Sequence, residues 1–126
     1  MYVEILKEMF AEMVEKKNAS LIPKYYHEGF ELSANGQTQD YAYFLEFHQQ
    51  VYQTGIQYKV SYDEQAFVEA GNKVAARVFF VITKPGEPVK ELEVILVAEF
   101  KGHQVFRVWE LCYPDWTKMP EFQTHQ

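Results

Sequence analysis

The chain has 126 residues, a formal net charge of −6 and one cysteine. That length suits a single domain over 1–126, which buries roughly two-thirds of its unfolded surface and needs no metal or disulfide to fold. The acidic balance repels phosphate backbones and no Lys/Arg cluster offsets it, which argues against a nucleic-acid partner; a lone Cys112 closes no intramolecular disulfide and points to a reducing, cytoplasmic setting.

The first segment, MYVEILKEMF, mixes apolar residues with Glu4, Lys7 and Glu8, so it reads neither as a signal peptide nor as a membrane span. Val3, Leu6, Phe10 and Met13 recur at helical spacing and predict a helix from about Tyr2 to Lys17. Asn18 or Ser20 is placed to cap a second, short helix carrying Leu21, Ile22, Tyr25 and Tyr26, with Pro23 in its first turn. Residues 27–40 read as a connector. Phe30 and Leu32 alternate as in a short strand, and Asn35-Gly36 is a turn signal. A third helix follows, capped by Thr38 or Asp40 and stopped by Gly55, with an inner stripe of Tyr41, Phe44, Leu45, His48 and Tyr52.

Residues 56–113 read as four long strands in a meander: IQYKVSYDEQAFVEA, KVAARVFFVIT, ELEVILVAEF and QVFRVWELCY. Val74, Ala76, Val78, Phe80 and Ile82 share one face of the second; Leu92, Val94, Leu96, Ala98 and Phe100 share one face of the third. Pairing Ile82 with Leu92 makes both apolar faces coincide. The opposite face carries Arg77, Phe79, Val81, Glu91, Glu93, Ile95, Val97 and Glu99, which is apolar surface rimmed by charge. A solvated sheet face is usually more polar, so the expectation is a homodimer interface there, or a cover supplied by the C-terminal tail, 114–126. The fold class predicted is α+β: a cone-shaped half-barrel of curved antiparallel sheet, covered by about three N-terminal helices, with an apolar pocket inside.

Two stretches carry a resemblance. AFVEAGNKVAARVFF resembles a strand–turn–strand segment of the nuclear transport factor 2-like superfamily, and QVFRVWELCYPD is similar to that superfamily's last strand, with its Trp-Glu pair and following Asp. The likeness is nearest to the SnoaL-like branch. It implies a cone-shaped α+β fold, usually dimeric, with a pocket that serves isomerases, polyketide cyclases, epoxide hydrolases and non-enzymatic binding modules alike. Fold therefore leaves function open.

No nucleophile elbow, P-loop, dinucleotide fingerprint or metalloprotease motif is present, and His27, His48, His103 and His125 lack metal-ligand spacing. No metal or cofactor is implied. Two candidates for proton transfer stand out. His48 lies on the third helix's inner stripe. Glu110 depends on the last strand's register. If Phe100 faces Phe106, the inner set is Phe106, Val108, Glu110 and Cys112. If Gly102-His103 makes a two-residue turn, it is Val105, Arg107, Trp109, Leu111 and Tyr113. Burial favours the first, turn geometry the second. In the epoxide hydrolase pattern a catalytic Asp follows the strand's Ile by about as many residues as Glu110 follows Val105, so the resemblance also implies an inward Glu110. Glu64 is a weaker candidate, inward only if no bulge forms at Asp63-Glu64-Gln65. Tyr26, Phe30, Phe44, Tyr52, Tyr62, Phe80 and Phe106 are the expected pocket wall for a small hydrophobic ligand.

Overall fold

The computed structural model describes residues 1–123; His125 lies outside them. Helix α1 spans Tyr2–Met9 and runs on into a π-helical turn, Phe10–Glu15, so the predicted first helix is present but changes pitch at Phe10. Its apolar stripe buries Leu6, Met9, Phe10, Met13 and Val14. The Asn18 side chain accepts from the Ser20 N–H and opens a 3₁₀ turn, Ala19–Leu21, that leads into a one-turn α2, Ile22–Tyr25. Helix α3, Tyr41–Val51, is capped by Asp40, whose carboxylate accepts from the Tyr43 N–H at 2.9 Å. Among the described residues no helix is long and apolar enough to cross a membrane.

Strand β1, Tyr26–Ala34, is longer than the sequence suggests. Asn35 and Gly36 both take positive φ and turn it into β2, Gln37–Asp40, as the Asn-Gly pair demands. The first of the four expected strands is interrupted: β3 is Gln57–Tyr62 and β4 is Val68–Ala70, both pairing with β5, Lys73–Thr83. β6 is Lys90–Lys101 and β7 is Gln104–Tyr113. The strand order is β2-β1-β7-β6-β5-β3, and β1 runs parallel to β7, so the curved, unclosed sheet is mixed rather than wholly antiparallel.

In the β5–β6 ladder Phe80 faces Leu92, Val78 faces Val94 and Ile82 faces Lys90. This is two residues from the register expected from the sequence. A slip of two preserves which residues face inward, so the face pattern alone does not separate the two registers. The tight end near β4 fixes the choice: the Phe100 N–H donates to the Asn72 carbonyl at 2.8 Å, and the Asn72 amide donates back to the Phe100 carbonyl at 2.9 Å.

The β6–β7 ladder holds the informative irregularity. Lys101 faces Gln104 around Gly102-His103, Phe100 faces Val105, and Glu99 faces Arg107. Phe106 has no partner of its own and forms a bulge. Beyond it the inward parity is exchanged: Val105 is inward before the bulge, while Val108, Glu110 and Cys112 are inward after it, opposite Ala98, Leu96 and Val94. The two registers that the sequence left as alternatives are each right on one side of Phe106. β1 accommodates the bulge by its own irregularity between Tyr26 and Glu31. Gly29 lies beneath the Phe106 ring, where a β-carbon would sit 3.2 Å from its edge.

Candidate functional site

The inner faces of the strands and the apolar stripes of α1 and α3 do not fill the space between them. They leave a cavity of about 140 Å³, walled by Leu6, Met9 and Phe10 of the first helix, Phe44 and Phe47 of α3, and Leu92, Val94 and Leu96 of β6. Of the residues expected on its wall, Tyr26, Phe30, Phe44, Tyr52 and Phe80 line it, together with His48 and Glu110. Two do not. Phe106, extruded by its own bulge, lies between the edge of the His27 ring at 5.2 Å and the Arg107 guanidinium at 4.0 Å. Tyr62, at the end of β3, packs against Phe10 and Phe67, with the Lys7 ammonium 5.3 Å from its ring. Glu64 is outside as well, paired with Lys7 at 2.9 Å in the loop that interrupts the first predicted strand. Arg77 is on the outer face, between Asp63 and Glu93 at 2.9 and 2.7 Å.

Glu110 reaches the cavity because of the Phe106 bulge. Its carboxylate oxygen Oε2 accepts from the Trp116 indole N–H at 2.9 Å. Burial pushes its pKa up from the usual glutamate value, and the Trp116 donor opposes part of that rise. Glu110 is in turn felt by Tyr26, whose hydroxyl is held neutral first by burial and then by the nearby carboxyl. The backbone around Glu110 is pinned from the β1–β2 turn. The Asn35 side chain accepts from the Cys112 N–H at 2.7 Å and donates to the Cys112 carbonyl at 2.9 Å, while the Asn35 N–H donates to the Glu110 carbonyl at 3.1 Å.

His48 sits one turn beyond Phe44, and its Nδ1 is 2.8 Å from the Phe44 carbonyl. A carbonyl only accepts, so Nδ1 carries the hydrogen and Nε2 keeps its lone pair. Rings of Phe44, Phe47 and Tyr52 enclose the imidazole at 4.1, 5.2 and 5.3 Å. Burial lowers its pKa to about 4, so the ring is neutral at pH 7. No hydrogen bond joins His48 to Glu110 among the described residues. The Tyr52 hydroxyl is buried and, among the described residues, has no hydrogen-bond partner. Tyr58 stacks edge-on to Tyr52 at 5.9 Å, and burial raises both phenols above their usual range.

The C-terminal segment is the part of the site that the sequence did not assign. It folds into two 3₁₀ turns, Trp116–Lys118 and Pro120–Phe122. Its described residues cover the cavity, not the outer sheet face. Trp116 and Phe122 line the cavity and also a wider, polar depression of about 430 Å³ beside Gln37, Gln39 and Lys118. Phe47 is common to both as well. These three rings, 5.6 to 6.3 Å apart between centroids, form the partition between inner cavity and surface groove. Glu121 is buried and ion-paired with Lys90 at the start of β6. The signal for this strap was in the sequence: Asp115 two residues before Thr117 is a capping pattern, and its side chain accepts from the Thr117 N–H at 2.9 Å.

The outer face stays open. Ile95, Leu111 and Tyr113 are 50%, 69% and 81% exposed, with Trp109 beside them at 45%. Ile95 faces Leu111 and Val97 faces Trp109 across the β6–β7 ladder.

No protein-family profile matches the chain, and no curated protein matches it. Solved structures do. PrhC from Penicillium brasilianum superposes with a TM-score of 0.75 at 13% identity, over 90% of this chain and 80% of that one. A SnoaL-like polyketide cyclase from Agrobacterium tumefaciens gives 0.68 at 14% identity, over 89% and 91%. An NTF2-like protein of unknown function from Cytophaga hutchinsonii gives 0.63 at 14% identity, over 90% and 91%. The likeness at this level of identity is one of fold, and the chain has the SnoaL-like, nuclear transport factor 2-like fold.

Proposed function

We propose that the protein binds a small apolar molecule in the inner cavity, and that Glu110 exchanges a proton with it. The observation that carries this is a partly buried carboxyl group on the wall of a largely apolar cavity. Burying a carboxyl among apolar side chains destabilises the fold unless it is partnered, and among the described residues the Trp116 indole is the hydrogen-bond donor to Glu110. An acid with a raised pKa in a dry site is suited to general acid–base work near neutral pH. His48 is suited to a lesser part: its Nε2 is a neutral acceptor on the same wall, and a pKa near 4 makes it a weak base.

The test uses toluene for binding and cyclohexanone for chemistry. Toluene should shift the methyl NMR signals of Leu6, Leu92 and Leu96 in a saturable way; no shift would remove the binding reading. The protein should accelerate exchange of the α-protons of cyclohexanone for deuterium in heavy water. Glu110→Gln should abolish that acceleration and His48→Gln should reduce it less. An unchanged rate in Glu110→Gln removes the acid–base role and leaves the binding reading standing.

The partner we propose besides the ligand is a second copy of this chain, docked through the outer sheet face. Its support is the contiguous exposed row of Ile95, Trp109, Leu111 and Tyr113, more apolar than a solvated face needs to be. Leu111→Glu and, nearer the strand centre, Phe79→Glu should convert a dimer into a monomer in sedimentation. A monomeric parent, or dimers that survive both changes, would refute the interface.

A further inference from the structure

The size and the polar groups of the cavity narrow what it accepts. A cavity of about 140 Å³ is close to the engineered cavity of ~150 Å³ that stays dry and takes up benzene. One six-membered ring with a small substituent fills such a space, whereas fused rings do not. Charge narrows it further. Among the described residues no Lys or Arg lines the wall, and His48 there holds its ring hydrogen against a backbone carbonyl. A carboxylate or phosphate would be buried beside Glu110 with no counter-charge, which is strongly unfavourable.

The remaining groups select for an acceptor. Tyr26, Tyr52 and Tyr58 are among the residues that line the cavity. Among the described residues, Tyr52 is the cavity-lining side chain left with a buried and unpaired polar atom. A hydroxyl in that condition destabilises the empty protein and gains most when a ligand supplies an acceptor.

Building on the proposed pocket function, we infer that the ligand is an uncharged molecule of about one ring, bearing a carbonyl or ether oxygen that accepts a hydrogen bond from the Tyr52 hydroxyl. Tyr52 is then the specificity-determining residue of the site, and it acts by binding whether or not Glu110 moves a proton. The hydroxyl is enclosed in the empty protein, so the ring shifts slightly as the oxygen docks.

The experiment compares four probes of one ring each by NMR titration: cyclohexanone, its isostere methylenecyclohexane, cyclohexanecarboxylate and cyclohexylamine. The parent protein should bind the ketone and the alkene, and should bind the carboxylate more than about a hundredfold more weakly. Tyr52→Phe keeps the ring and removes the hydroxyl. It should weaken the ketone about tenfold and leave the alkene unchanged or slightly tighter. The same variant should melt at a temperature equal to or above the parent's when empty, because it loses an unpaired group. Should the variant fail to fold, the parent itself decides: the carbonyl stretch of bound cyclohexanone must move to lower frequency relative to the ketone in hexane. Equal losses for ketone and alkene in Tyr52→Phe, or no carbonyl shift, overturn the inference while the pocket reading stands. Tighter binding of the carboxylate or of cyclohexylamine than of the ketone overturns it too. Binding of none of the four removes both readings together.

Discussion

The two hairpins that share β6 are built on opposite terms. On one side, β5 and β6 run as a regular ladder of ten pairs from Lys73 opposite Glu99 to Ile82 opposite Lys90. Strict alternation there sends every second residue into the core. On the other side, β6 and β7 keep their ladder only by extruding Phe106. The tight Gly102-His103 turn sets one parity, and the core composition of Val108, Glu110 and Cys112 needs the other. The bulge reconciles them. The regular hairpin therefore supplies wall to the cavity, and the irregular one brings the Glu110 carboxyl to it. A chain with an unbulged β7 would present Arg107, Trp109 and Leu111 to the interior and leave Glu110 in solvent.

The sharpest way to break this comparison is to remove one residue from each hairpin. Deleting Phe106 joins Val105 to Arg107 and makes the β6–β7 ladder regular, with Val105 still opposite Phe100, Arg107 still opposite Glu99 and Glu110 still inward. The expected cost is under ~1 kcal/mol, because every other pair of the ladder is kept. Deleting Phe79 from the unbulged β5 instead joins Val78 to Phe80 and exchanges the two faces of the strand on one side of the cut, and should cost more than ~4 kcal/mol. Equal losses of melting temperature would contradict the structural role given to the bulge.

The same contrast explains what could be read in the sequence. The faces of β5 and β6 were legible because period-two alternation is a local signal that survives a register shift of two. The register itself was not, since a slip of two residues costs no burial; it is set by Asn72 against Phe100 across the sheet. For β7 the turn rule and the burial rule gave different answers, and both were sound locally. What the sequence could not show is that one inserted residue satisfies both. The β1 strand was underestimated for a related reason: half of its pairing comes from β7, far along the chain and parallel, so its own pattern of Phe30, Leu32 and Ala34 reads as a fragment. The placements of Tyr62 and Phe106 failed where alternation was carried across a strand end and across a bulge. Trp116 was missed as a site residue because its role comes from the strap folding back onto Glu110, with no periodic pattern to announce it.

Within β6, adjacent residues test the two faces. Leu96 is buried on the inner face and touches the cavity, while Ile95 is half exposed on the outer one. Leu96→Ala should destabilise by ~2–4 kcal/mol, tempered by the cavity already beside it. Ile95→Ala should cost under ~1 kcal/mol at concentrations where the protein is monomeric, read from urea midpoints. At dimeric concentrations the Ile95 penalty should grow with protein concentration if the outer face is an interface. A penalty independent of concentration would leave that face without an assigned partner.

The smallest effect expected is also the most specific to the bulged hairpin. Glu110 has a folded-state pKa above its ordinary value because burial disfavours the charged carboxyl. Between the ordinary glutamate range and that raised value, the native state holds more protons than the unfolded state. Stability contributed by this group is therefore present below the ordinary range and declines as pH rises through the window. Glu110→Gln keeps an oxygen to accept from the Trp116 indole and removes the charge. It should leave the melting temperature unchanged near pH 4 and raise it by a few degrees at pH 8, equivalent to about 1 kcal/mol. Asp63, Asp115 and Glu121 are shifted the other way and lose stability as pH falls, so the informative quantity is the difference between variant and parent at each pH. Trp116→Phe removes the indole donor and should widen the window upward, making the parent's decline with pH steeper. A Glu110→Gln variant less stable than the parent at pH 8 would mean that the carboxylate, not the neutral acid, is what the native cavity favours, and β7 would then have placed a structural anion where an acid–base group is proposed.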